Sequence, residues 1–182
     1  MIHLRVNIVF SGQITVLSIF DEKITLVIGM NLRLRLIREK FEITQRAMAK
    51  KLNISKSYYN YFESCERIIP VERLNDFCNI FQVSFDYVLG LDENSIVSKK
   101  NYQIDAKIIG ERLKEVRVKH KLTQKQVADL LNTSQSTISS YENGKTVILT
   151  AFLYELCIKL NVSADYIVGK RNVMKTINST LK

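Results

Sequence analysis

The stretch LTQKQVADLLNTSQSTISSYENGK, residues 122–145, decides how the chain is read. Thr123 followed three residues later by Gln126 is a capping-box pattern, in which each residue's side chain satisfies a backbone amide at a helix start. Val127, Leu130 and Leu131 recur at helical spacing and predict a buried face, and Ala128 is small enough for a second helix to cross close by. Asn132 tolerates the left-handed backbone that ends a helix. Ser134 then caps a further helix whose Ile138 and Tyr141 turn inward at i and i+3. Gln135, Ser136, Ser139 and Ser140 are left on an outer face that is polar, uncharged and compact. Gly144 supplies the positive φ that stops this helix.

Working outward, Ile109, Leu113, Val116 and the aliphatic stem of Arg117 predict a preceding amphipathic helix that ends near His120 and Lys121. Beyond Lys145, a fourth helix over about 150–160 presents Phe152, Leu153, Leu156, Cys157 and Leu160. A fifth starts at the Ser163 cap and carries Tyr166, Ile167 and Val168. Five short helices with small residues at the central crossing form a helix-turn-helix layout.

The same pattern occurs twice. Adding 79 to a position in the first half lands on a matching residue in the second without a gap: Thr44 and Gln45 on Thr123 and Gln124, Ala49 on Ala128, Glu63 on Glu142, Cys78 on Cys157. Val83, Ser84, Asp86, Tyr87 and Gly90 likewise fall on Val162, Ser163, Asp165, Tyr166 and Gly169. The expected organisation is therefore an N-terminal extension (1–29), a first repeat (30–91), a polar linker read as a tether (92–108), a second repeat (109–169) and a basic tail (170–182).

These residues resemble the Cro and phage-repressor type of helix-turn-helix domain, also called the xenobiotic-response-element type. The likeness is strongest over 109–169 and good over 30–91. It implies an all-α fold of two tandem five-helix bundles of the lambda-repressor kind, each with its third helix in the major groove of double-stranded DNA. In the second repeat it implies a phosphate grip by Gln124, base reading by Gln135, Ser136 and Ser140, and backbone contacts from Thr137, Asn143 and Lys145. In the first, Gln45 takes the phosphate place, and the reading face becomes Lys56, Ser57, Tyr58, Asn60 and Tyr61, with Tyr59 and Phe62 on the core side. The chemistry suits these places, because Gln bonds bidentately to adenine N6 and N7 and Ser is permissive. The first repeat departs where Ser64-Cys65-Glu66 replaces Asn143-Gly144-Lys145, losing the helix-ending glycine and exchanging a cation for an anion. Its tyrosines suit thymine methyls, phosphates or a protein interface.

The expected function is a sequence-specific DNA-binding transcriptional regulator, a repressor by type, working as a homodimer or as an internal pseudo-dimer. The rival reading is a non-catalytic protein-interaction module on the same fold, such as an antitoxin or coactivator. A net charge of +9 fits an acidic polymer as partner, and four basic residues with no acidic one fall within 170–182. That tail either tracks phosphate or keeps the terminus solvated.

Catalysis is not expected. The two histidines, His3 and His120, are far apart in the sequence, no phosphate-cradling or paired-carboxylate motif occurs, and Cys78 and Cys157 fall on an apolar helix face. Three cysteines without CxxC spacing argue against a disulfide framework or a thiolate zinc site, so neither metal nor cofactor is expected and a reducing cytoplasm fits. No run reaches the roughly 18 apolar residues of a membrane span. Residues 1–29 read as a three-strand meander over 2–10, 14–20 and 24–28, or as an extension or upstream sequence before a functional start at Met30.

Overall fold

The computed structural model describes residues 5–10, 13–20, 23–25, 32–95 and 101–177. Three strands, β1 (Arg5–Phe10), β2 (Gln13–Phe20) and β3 (Lys23–Thr25), form an antiparallel sheet in the order β1-β2-β3. The register pairs Phe10 with Gln13 and Phe20 with Lys23. The rest of the expected third strand, and Met30, lie outside the described residues.

Two all-helical repeats follow. The first comprises α1 (Leu34–Lys40), α2 (Gln45–Lys51), α3 (Lys56–Glu63), α4 (Val71–Phe81) and α5 (Phe85–Val88). The second comprises α6 (Ala106–Lys119), α7 (Gln124–Leu130), α8 (Gln135–Glu142), α9 (Thr150–Leu160) and α10 (Ala164–Ile167). The caps fall where short-range chemistry demands. Thr123 and Gln126 close a capping box, while Thr44, Ser55, Ser84, Ser134 and Ser163 each accept an amide from the first turn. Asn53 and Asn132 hold matching left-handed turns between the second and third helices, at φ 52° and 49°. The predicted inward residues Ile138, Tyr141, Tyr59 and Phe62 are buried, as are Ile109, Leu113 and Val116.

Two expectations need correction. The stretch 92–108 is not simply a tether, because α6 already starts at Ala106, with the Asp105 carboxylate accepting the amides of Lys107 and Ile108. Both ends of this connection are also fixed: Asn75 and Asn79 donate to the Tyr102 carbonyl at 2.8 Å each, and the Asp92 amide donates to the Asp86 carbonyl. Nor is the start of the basic tail a solvated or phosphate-tracking arm. Lys170 is fully buried, donating to Asn79 Oδ1 at 3.2 Å with its ammonium 5.2 Å from the Phe85 ring centre. Lys175 pairs with Asp92 at 3.1 Å, and its carbonyl accepts the Ser163 amide. The segment after α10 thus returns to the first repeat. Residues 178–182 of the expected tail lie outside the described residues.

The repeats meet through α5 and α10, and the contact is reciprocal. Asp165 accepts the amides of Phe85 and Asp86, both at 3.0 Å, while Asp86 accepts the Ala164 amide at 2.6 Å and the Ser163 hydroxyl at 2.5 Å. Phe85 and Ala164 occupy the same repeat position, so each aspartate caps the partner repeat's last helix about a local pseudo-twofold axis. Hydrogen bonds to a charged acceptor are worth about 1.5–3 kcal/mol each, and the favourable helix dipoles add to this. Two carboxylates in one buried place also repel. Burial and the Asp165 charge push the Asp86 carboxyl up to about 7. Thr150 extends the seam by donating its hydroxyl to the Ile69 carbonyl. Cys78 and Cys157 are wholly buried on the apolar faces of α4 and α9, and burial raises both thiols well above their ordinary range.

Candidate nucleic-acid interface

In each repeat the third helix is held against the first by one buried ion pair. Arg117 donates from Nε and Nη2 to both oxygens of Glu142, at 2.5 and 3.0 Å, and from Nη1 to the Leu122 carbonyl. Arg38 repeats this on Glu63 at 2.6 and 3.1 Å, with Nη1 on the Ile43 carbonyl. The glutamates are nearly inaccessible, at 3% and 4% of their side-chain surface, so these are planar, charge-assisted forks in a poorly hydrated place. Burial opposes ionisation of Glu63, but hydrogen bonds from Arg38 and Gln45 outweigh it and hold the carboxyl below its usual range. Close approach of α6 and α8 needs Gly110, where a Cβ would sit 2.5 Å from the Tyr141 carbonyl oxygen.

Onto this frame the second helix delivers its opening glutamine. Gln124 Nε2 donates to Glu142 Oε2 at 2.9 Å, and Gln45 Nε2 donates to Glu63 Oε2 at 2.8 Å. The first repeat adds a bond from Gln45 to Asn60 Oδ1 at 3.1 Å, which occupies both hydrogens of that amide. Among the described residues Gln124 Nε2 makes no second bond of this kind.

The predicted residues of the second repeat gather along one side of α8 and its exit turn. Gln135 and Ser136 are exposed at the start of the helix, with Ser136 Oγ 2.7 Å from the capping Ser134 Oγ. Thr137 is half-buried and shares the same cap at 2.8 Å, and Ser140 is half-buried one turn later. Asn143 is exposed and folds its amide back on the Ser139 carbonyl, while Lys145 is exposed beyond the turn. In the first repeat, Gln45, Lys56, Ser57, Asn60 and Tyr61 line one shallow groove of about 370 Å³. Tyr58 stands apart from it, half-buried with its ring 4.7 Å from that of Phe62. The Arg67 guanidinium lies 5.7 and 5.3 Å from the Tyr58 and Tyr61 ring centres.

Sequence reasoning missed the two ion pairs and the reciprocal aspartates. The signal was present, since Arg38, Glu63 and Asp86 all recur 79 residues on, but nothing local shows that residues 25 apart touch. Among the described residues no group of His, Cys, Asp and Glu is placed to hold a metal ion, and no helix is long and apolar enough to cross a membrane.

Comparison with known proteins decides what this geometry is. A helix-turn-helix family model matches twice, at residues 34–88 and 113–167, which together make up more than half of the chain. The protein belongs to the helix-turn-helix family. Both matches run from the first helix of a repeat into its last, so the family assignment and the two bundles coincide. Among curated relatives, the HTH-type transcriptional regulator ImmR of Bacillus subtilis is 42% identical over 67 residues, covering 37% of this chain and 53% of ImmR. The antitoxin PezA of Streptococcus pneumoniae is 34% identical over 70 residues, covering 38% of this chain and 44% of PezA. The aligned region thus spans about half the length of these relatives. Among solved structures, the restriction-modification controller protein C.AhdI of Aeromonas hydrophila matches with 24% identity and a TM-score of 0.33, over 35% of this chain and 96% of its own.

Proposed function

We propose that this helix-turn-helix protein is a sequence-specific DNA-binding transcriptional regulator, a repressor that acts by occupying its site, and that one chain serves as an internal pseudo-dimer. The observation that carries this reading is the polar, uncharged outer face of α8 beside Lys145, with α3 at the equivalent place in the first repeat, on two repeats joined through Asp86 and Asp165. In this reading Gln135 reads an adenine edge, and Ser136 and Ser140 make permissive base contacts. Thr137, Asn143, Lys145 and Gln124 hold the backbone. Lys56, Ser57, Asn60 and Tyr61 form the corresponding face of α3, with Gln45 behind them and Tyr58 at its edge.

Fluorescence anisotropy of labelled random and genomic duplexes with the full chain, titrated from about 50 to 200 mM salt, tests it. Gln135→Ala relaxes preference at one base pair, by about 1–3 kcal/mol of discrimination, whereas Gln124→Ala weakens all sequences alike. Equal, uniform losses from both variants contradict these roles. A bound stoichiometry of one chain per two half-sites is expected, and two chains per site contradict the pseudo-dimer.

The second reading, a protein-interaction module, is favoured by the tyrosine pair under Arg67 and by the likeness to an antitoxin. Failure of every duplex to bind above the non-specific level at the lowest salt selects it.

A further inference from the structure

The two repeats differ on the outer side of the second helix. In the first repeat, Arg46, Lys50 and Lys56 line a groove of about 520 Å³ between α2 and α3, with Asn53 and Ser55 and with no carboxylate in its wall. All three cations are exposed, and none is paired with a carboxylate among the described residues. Their counterparts in the second repeat are Lys125, Asp129 and Gln135. There Lys125 and Asp129 neutralise each other at 2.6 Å.

Folding does not account for the basic groove. Like charges at i and i+4, as in Arg46 and Lys50, cost a helix about as much as the Lys125–Asp129 arrangement gains. The helix dipole favours Lys50 and Lys51 in the last turn of α2. It disfavours Arg46 in the first turn of α2 and Lys56 at the first position of α3. Arg46 and Lys56, kept where the helix dipoles oppose them, point to an external anion. Lys56 also lines the neighbouring groove with Gln45, Ser57, Asn60 and Tyr61, so the basic surface runs directly into the face assigned to DNA. That continuity favours duplex phosphates over an acidic protein.

We infer that the α2–α3 groove of the first repeat, built on Arg46, Lys50 and Lys56, is a duplex-phosphate site that the second repeat lacks, so that the first repeat anchors DNA electrostatically while the second discriminates sequence. This rests on the DNA-binding reading above and adds to it a division of labour and a site with two unlike halves.

The test is the salt dependence of binding by the full chain to its best duplex. Each phosphate contact contributes about 0.9 to the slope of log K against log salt. Arg46→Gln/Lys50→Gln, both on an exposed helix surface, lowers the slope by about 2 and leaves the order of preference among duplexes unchanged. Gln135→Ala does the reverse. Asp129→Lys, which installs the basic pair in the second repeat, raises the slope. An unchanged slope in Arg46→Gln/Lys50→Gln, with wild-type duplex binding intact, overturns the inference and assigns the groove to another acidic partner. Absence of duplex binding by the wild-type chain overturns the DNA reading itself, and the two failures are thereby distinct.

Discussion

The turn that follows α3 and the turn that follows α8 make the same left-handed step with different residues. Cys65 stands at φ 56° in the first repeat and Gly144 at φ 65° in the second. The first repeat lacks the helix-ending glycine, yet the backbone there makes the same turn. The reason lies one residue before each C-cap. Glu63 and Glu142 are locked by an arginine fork and a glutamine, so the end of the third helix is held from inside the bundle. The exit turn follows, whatever side chain it must carry. Gly144 has a further reason to lack a Cβ, which would lie 2.9 Å from the Lys107 Cα at the start of α6. The comparison teaches that the two repeats share a frame and differ on their outer faces. What varies between them is the surface offered to a partner.

The strongest way to break this comparison is to remove the shared frame. Glu142→Ala and Glu63→Ala each leave a poorly hydrated arginine without its partner. Each is expected to cost about 3–5 kcal/mol, read by urea denaturation of the full chain. A loss below about 1 kcal/mol in either repeat means that its fork does not hold the third helix.

The exit turns give opposite signs for neighbouring changes. Gly144→Ala places a side chain at positive φ and against the backbone of Lys107, and should destabilise by about 1–3 kcal/mol. Cys65→Gly relieves a non-glycine left-handed residue and should stabilise by up to about 1 kcal/mol. Thermal melting checks both, and a destabilised Cys65→Gly would show that the thiol contributes more than its backbone strain costs.

The smallest effect sharpens the comparison at the seam. The Asp86 carboxyl is raised in the folded chain, because burial and the Asp165 charge disfavour its ionised form. A raised acid binds its proton more tightly when folded, so stability from this group is complete below the unfolded value and is lost as pH rises through about 7. Denaturation of the full chain should show stability falling between about pH 4 and 7 and levelling off above that. Asp86→Asn should flatten that dependence, and an unaltered pH profile in Asp86→Asn would remove Asp86 as its source.

Much of the fold was legible because its determinants are local. Thr123 and Gln126, Ser134 and Ile138, and Asn132 at the turn act within four residues of one another, and the spacing of 79 exposed the repeat without any structure. The start of α6 was not legible, because Asp105-Ala106-Lys107 lies in a polar run where one cap hardly differs from a loop aspartate. Of the residues expected on the first repeat's reading face, the structure brings Gln45, Lys56, Ser57, Asn60 and Tyr61 together around one groove. The second hydrogen bond of Gln45 and the seating of Tyr58 on Phe62 depend on side chains meeting across helices, which residue type alone does not specify.

Sequence alone determined the repeat, the helix caps, the buried faces and the polar outer face of each third helix, since periodicity and capping are properties of neighbouring residues. Tertiary structure decided which charges are spent inside the protein and which remain for a partner. Arg38 and Arg117 disappear into forks with Glu63 and Glu142, Lys170 is buried against the first repeat, and Asp86 and Asp165 close the seam between repeats. Arg46, Lys50 and Lys56 stay outside. A charge's role depends on what folding brings within a few ångströms of it, because desolvation and Coulomb energy change steeply over that distance.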